Sequence, residues 1–198
     1  MHPDRFYPIV DTVAWVERLA KLGVRTLQLR AKNLDQTVAR ELVRGALKAA
    51  EGTKCEIVVN DYWQAAIESG CDFVHLGQGD LDTADVKAIR NAGVRLGIST
   101  HDHAELDRAL SYDPDYVALG PIYPTLLKEM IWEPQGLDRI GEWKKLIGDR
   151  PLVAIGGLTL ERALACLEAG ADSAAVVTDI VRAPNPEARA KEWIAATR

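Results

Sequence analysis

The chain is predicted to fold as one α/β domain, a (β/α)8 TIM barrel spanning residues 1–198, and three observations predict it. Short runs rich in Val, Ile and Leu recur at 6–10, 25–29, 56–59, 73–76, 95–98, 116–119, 152–155 and 174–177, which makes eight. A longer amphipathic stretch follows each run, so strand and helix patterns alternate along the whole chain. Polar residues and glycines crowd the points where the short runs end, the face on which barrels of this class carry their chemistry.

The runs are continuous rather than strictly alternating, as expected of parallel strands covered on both faces. The first helix, 13–22, sets Val13, Val16, Leu19 and Ala20 on one face and is stopped by Gly23. The second opens at Asp35 and carries Val38, Leu42, Val43, Ala46 and Leu47 at helical spacing. Later helices start near Asp61, Thr83, Asp102, Gly136, Thr159 and Asn185, most of them residues whose side chains accept hydrogen bonds from unpaired helix N–H groups. Gly70, Gly93 and Gly170 stop helices just before strands. A doubly wound open sheet is the alternative, but no GxGxxG turn follows the first strand. The longest connection, from Gly120 to about Pro134, is a candidate active-site loop.

Composition narrows the class of function. With 198 residues the chain has length for one barrel and none for a second domain, although barrels of this kind typically run to about 250 residues. Apolar residues make up 47% and charged residues 27%, the balance of an ordinary globular protein. A net charge of −5 argues against a nucleic-acid or anionic-membrane partner. Cys55, Cys71 and Cys166 are odd in number and show no CxxC spacing, so they read as small apolar side chains in a reducing compartment. The N-terminal stretch MHPDRFYPIV lacks a signal-peptide pattern and no apolar run approaches the ~20 residues of a membrane helix, so the expected location is cytoplasmic.

The strand ends supply the chemistry. They carry Asp11; Gln28, Arg30 and Lys32; Asn60 and Asp61; His75, Gln78 and Asp80; Ser99, Thr100 and His101; Thr125 and Lys128; Gly156 and Gly157; and Thr178 and Asp179. Arg30, Lys32 and Lys128 are cations suited to a phosphate-rich ligand. Asp61 and Asp80 are hard oxygen ligands, and one or two carboxylates with substrate phosphates and water is the usual way of holding Mg2+. A Gly-Gly pair after strand seven, with backbone amides after strand eight, matches the phosphate cradle of the fold. Two anionic subsites on one rim suggest two phosphorylated small-molecule substrates, one a candidate diphosphate.

Plainer readings stand beside these. Asp61 taken alone reads first as the cap of a helix over 62–69. In the run around Asp80, Asp82 or Asp85 could equally serve the next helix. His75 reads as a hydrogen-bonded barrel residue rather than a metal ligand, and His101 and His103 as helix-start residues. Trp63, Trp143 and Trp193 read as packing residues, whereas Trp132, in the long loop, is placed to cover a site. No HExxH argues for zinc.

Segments at every strand end resemble the thiamine phosphate synthase (thiamine-phosphate pyrophosphorylase) family. They are QLRAK at 28–32, ND at 60–61, VHLGQGD at 74–80, GISTH at 97–101, GPIYPT at 120–125, Lys128, AIGG at 154–157 and VVT at 176–178. The resemblance implies a transferase on a (β/α)8 barrel that joins a hydroxymethylpyrimidine diphosphate to a thiazole phosphate, releasing diphosphate. On the matched positions, Gln28, Arg30, Lys32, Asn60, Ser99 and Lys128 are expected to bind the pyrimidine diphosphate, with Arg30, Lys32, Lys128 and Ser99 also serving catalysis. Asp61 and Asp80 are expected to hold Mg2+. Thr125, Gly157, Val177 and Thr178 are expected to bind the thiazole phosphate. A homodimer is left open.

The chain also departs from the family. Leu126 and Leu127 stand where a second threonine is common before the lysine, which removes a hydroxyl from the thiazole-phosphate side. Thr178 replaces a frequent serine and keeps the hydroxyl. Asp179 beside it would repel a phosphate unless turned away. A thiazole tautomerase on the same barrel, a non-catalytic ligand-binding barrel and an unrelated aldolase or epimerase using Lys128 are the rival readings. Retention of Asp61, Asp80 and Lys128 favours the synthase over the tautomerase.

Overall fold

The computed structural model describes residues 3–125 and 132–198. Eight parallel strands close on themselves in chain order: β1 (Phe6–Val10), β2 (Thr26–Leu29), β3 (Glu56–Asn60), β4 (Phe73–Leu76), β5 (Arg95–Thr100), β6 (Tyr116–Leu119), β7 (Leu152–Ile155) and β8 (Ser173–Val176). The closing pair is β1 with β8, Phe6 opposite Ala174 and Pro8 opposite Val176. Around them lie α1 (Val13–Lys21), α2 (Gln36–Ala50), α3 (Trp63–Ser69), α4 (Val86–Asn91), α5 (His103–Ser111), α6 (Asp138–Ile147), α7 (Leu160–Glu168), α8 (Thr178–Val181) and α9 (Pro186–Thr197). None of the described helices is long and apolar enough to cross a membrane.

Helix starts follow the side chains available. Asp35 accepts from the amides of Thr37 and Val38, Asp102 from Glu105, Thr159 from Arg162 and Asn185 from Ala188. Two starts differ from the sequence expectation. The helix expected near Thr83 begins at Val86, because Asp85 rather than Thr83 caps it, and residues Asp80–Asp82 form a 3-10 turn ahead of it. The one expected near Gly136 begins at Asp138, after Gly136 has turned the chain at φ 72.

The apolar residues form two cores, one on each face of the sheet. The larger lies between barrel and helices and includes Leu27, Val59, Leu96, Trp143 and Trp193. Trp143 donates its Nε1–H to Thr100 (2.9 Å), and Trp193 stacks on Phe6 at 5.1 Å, fastening α9 to β1. The smaller fills the barrel interior with Tyr7, Ile9, Val58, Phe73, Tyr116, Ala118, Val153 and Ala175. Strand side chains alternate between these two faces. One step further along each strand, the same inward face therefore delivers Asn60, His75 and Ser99 to the carboxyl end. The opposite rim is tied by structural polar contacts: Asp172 accepts from Lys144 Nζ (2.9 Å) and the Leu152 amide (2.7 Å), and Asp115 accepts from Arg90 (2.6 Å) and the Leu96 amide (2.7 Å).

Candidate active site

A cavity of about 660 Å³ opens at the carboxyl ends of the strands. Inward-facing positions of β2 and the turn after it contribute Gln28, Arg30 and Lys32 at alternate residues. β3 ends in Asn60 and Asp61, β4 leads to Asp80, and β5 contributes Ser99. Across the opening lie Thr125 after β6, Gly156 and Gly157 after β7, and Val177 and Thr178 after β8. Every described residue expected to bind substrate or metal thus borders one cavity, whereas Asp11, Thr100 and Asp179 of the strand ends do not. Lys128, like Leu126 and Leu127, lies outside the described residues.

Asp61 is not the cap that its position beside a helix start suggested. The residue before α3 is Tyr62, which makes no side-chain cap bond. Asp61 instead adopts φ 64, a left-handed conformation that Asp tolerates better than most residues, and its amide donates to the His75 carbonyl (3.0 Å). That turn brings its carboxyl against Asp80. Burial, followed by the charge of Asp80 and a hydrogen bond with it, pushes the Asp61 carboxyl up to about 6, while Lys32 and Arg30 pull the other way. Asp80 is held in place because its Oδ2 accepts from the Gly77 amide (2.9 Å). The described residues hold no cluster of three or more His, Cys, Asp or Glu suited to a metal.

The far side of the cavity is shaped by backbone. Gly156 and Gly157 have φ 100 and 65. A Cβ on Gly157 would sit 2.3 Å from the Pro124 carbonyl oxygen, so only glycine lets the β7 turn close onto the segment that carries Thr125. Gly157→Ala is expected to lower stability by at least ~1 kcal/mol, through both the clash and the left-handed φ. The urea midpoint measures it; an unchanged midpoint would show that this close approach is not needed.

Asp179 is turned away from the cavity. Its carboxylate accepts from Arg189 (2.9 and 3.2 Å) and from Trp193 Nε1 (2.7 Å) on α9, so its charge is met away from the cavity. Thr178, beside it, borders the cavity at the start of α8, a helix of four residues that no periodicity announces.

Trp132 borders the cavity, as its place in the long loop led us to expect, but its partner and the tyrosines below were not legible in the sequence. Trp132 stacks on His101 at 5.5 Å with the rings 6° from parallel, and His101 Nδ1 pairs with Glu105 at 2.6 Å; all three border the cavity. Tyr7 and Tyr116 form part of the cavity floor. Both read as strand apolar residues, and no spacing rule joins hydroxyls 109 positions apart.

Eight parallel strands with a polar cavity at their carboxyl ends define a barrel enzyme acting on small molecules. The model of the family described as thiamine monophosphate synthase matches residues 6–180. Over 197 residues the chain is 58% identical to the thiamine-phosphate synthase of Rhizobium etli, covering 100% of this chain and 97% of that protein. It is 47% identical over 191 residues to that of Neisseria meningitidis serogroup A, covering 96% and 93%. Among solved structures, a thiamine phosphate pyrophosphorylase from Pyrococcus furiosus superposes with a TM-score of 0.85 at 22% identity, covering 98% of this chain and 95% of that one, a likeness of fold. The chain belongs to the thiamine monophosphate synthase family and is a transferase of thiamine biosynthesis.

Proposed function

We propose that the protein joins a hydroxymethylpyrimidine diphosphate to a thiazole phosphate, giving thiamine phosphate and diphosphate with the help of Mg2+. The observation that carries this reading is the sharing of one cavity by two unlike halves. Arg30 and Lys32 flank the Asp61–Asp80 pair on one side, and the Gly156–Gly157 turn, Thr125 and Thr178 stand on the other. Cations beside paired carboxylates suit a metal diphosphate, and a glycine turn with hydroxyls suits a monophosphate.

The carboxylates fit a divalent cation. Two hard oxygen donors stand at the ends of adjacent strands; burial first, and the charge of Asp80 second, make the Asp61 carboxylate costly to hold, and a cation between the two would offset that cost. Mg2+ held by Asp61 and Asp80 supplies positive charge to the diphosphate when bound.

The chain's own groups do the rest. Gln28 and Asn60, both buried, and Ser99 hold the pyrimidine end. Arg30 and Lys32 stabilise the oxygen on which charge grows as the methylene C–O bond breaks, its electron pair leaving with the diphosphate; Lys128 is assigned the same task. Electron release from the aminopyrimidine stabilises the methylene cation. The thiazole nitrogen then donates its lone pair to form the C–N bond. That nitrogen carries no proton to remove, so the step needs orientation rather than a general base.

The test is mass-spectrometric detection of thiamine phosphate from purified protein, both substrates and Mg2+, with chelator as control. Absence of product overturns the reading, and proton exchange into the thiazole alone would point to a tautomerase. Asp80→Asn keeps an oxygen for the Gly77 amide but loses the charge. It is expected to lower turnover by ~100-fold or more with little change in melting temperature. Turnover close to that of the parent would remove Asp80 from the metal site.

A further inference from the structure

Beneath the cavity, five polar side chains from five strands form one continuous hydrogen-bond chain across the barrel. Gln28 Nε2 donates to the Tyr7 hydroxyl (3.0 Å). The Tyr7 and Tyr116 hydroxyls are 3.1 Å apart, Tyr116 Oη is 2.7 Å from His75 Nδ1, and His75 Nε2 is 2.8 Å from Ser99 Oγ. Gln28, Tyr7, Tyr116 and His75 are all buried, and Ser99 alone opens more widely to the cavity.

Each hydroxyl has one proton to give, and a neutral imidazole has one N–H and one lone pair. With Gln28 donating through Nε2, these counts set the direction of the rest. Gln28 donates to Tyr7, so the Tyr7 proton goes to Tyr116 and the Tyr116 proton goes to His75 Nδ1. Nδ1 must then be bare, and the single imidazole proton sits on Nε2 and is donated to Ser99. The Ser99 oxygen is already an acceptor, which leaves its own proton for whatever occupies the cavity. Desolvation, reinforced by Arg30, pushes the His75 imidazole down to about 3, and burial raises both tyrosines, so every member stays neutral.

We propose that His75 is a positioning residue: its Nε2–H holds Ser99 as a hydrogen-bond donor aimed at an acceptor atom of the pyrimidine diphosphate. The identity of that ligand rests on the function proposed above; the direction of the chain does not. If the Gln28 carbonyl faced Tyr7 instead, every donation would reverse. His75 would then be protonated on Nδ1, and Ser99 would spend its proton on Nε2. An acceptor atom, a ring nitrogen as much as a phosphate oxygen, offers only lone pairs, so the reversed chain would present it with the wrong group.

The first test needs no substrate. Nitrogen-15 NMR of the ligand-free, histidine-labelled protein, with His75 assigned by elimination through single replacement of His2, His101 and His103, is expected to show a protonated Nε2 and a bare Nδ1. A protonated Nδ1 overturns the proposal. The second test is a double-mutant cycle. His75→Phe is expected to lower kcat by ~10-fold or more in the parent but to cost little in Ser99→Ala, because both variants remove the same interaction. Multiplying losses would make His75 a packing residue and overturn the proposal. His75→Phe strands the Tyr116 proton and is therefore paired with His75→Gln, whose amide N–H can still reach Ser99 and is expected to recover most of the loss. Should neither variant fold, the NMR result on the parent decides. If the parent makes no thiamine phosphate, the functional reading fails while the NMR result stands.

Discussion

Asp61→Asn is expected to give a protein that melts no lower than the parent, yet turns over ~100-fold more slowly or worse. The two effects come from the same contact. In the ligand-free protein the Asp61 carboxyl is half-buried against Asp80, and it is pushed up to about 6 first by burial and then by that neighbour. Asn removes a charge that is costly to hold there and can donate an N–H to the Asp80 carboxylate. After allowance for solvent screening, the gain is on the order of 1 kcal/mol. Asn also tolerates the left-handed φ of 64 about as well as Asp does, so the backbone turn survives the exchange. What is lost is one of the two charged oxygens assigned to Mg2+. Calorimetry without ligands and product formation with both substrates measure the two quantities separately. A variant that is both less stable and fully active would mean that the Asp61–Asp80 contact is structural.

The sequence made the barrel legible because strands buried on both faces read as short, continuous apolar runs, and all eight lie where those runs stand. Helix starts were legible where an Asp, Thr or Asn accepts the first amides, as at Asp35, Asp102, Thr159 and Asn185. They were misread where two candidates stood close together, as with Thr83 and Asp85, or where a glycine turn precedes the helix, as at Gly136. The rim of the cavity was legible for a geometric reason: polar side chains at alternate positions just past a strand must face its axis. The layer below was hidden. Tyr7 and Tyr116 look like ordinary strand aromatics, and only closure of the barrel brings their hydroxyls between Gln28 and His75. The partners of Asp179, Arg189 and Trp193, were hidden in the same way, since α9 packs against α8 only in three dimensions.

Gly97→Ala is expected to lose about 2–6 kcal/mol, a large part of the ~5–15 kcal/mol that holds an ordinary domain together. Gly97 pairs with Tyr116 across β5 and β6, and both face the barrel interior. A Cβ on Gly97 would lie 2.1 Å from Tyr116 Cζ and 2.6 Å from its hydroxyl oxygen. The ring cannot stay where it is. It is walled in by Phe73 at 5.6 Å and His75 at 5.5 Å, so displacement strains a filled interior and pulls a buried hydroxyl away from Tyr7 and His75. The strain accounts for about 1–3 kcal/mol, and the hydrogen bonds lost inside the barrel for about as much again. If the ring is the cause, the cost must vanish with it. In a Tyr116→Ala background, which itself opens a cavity, adding Gly97→Ala is expected to change stability by less than ~0.5 kcal/mol. Chemical denaturation of the four proteins of that cycle measures the coupling. Equal costs in the two backgrounds would show that the β5 backbone, rather than the Tyr116 ring, demands glycine at this position.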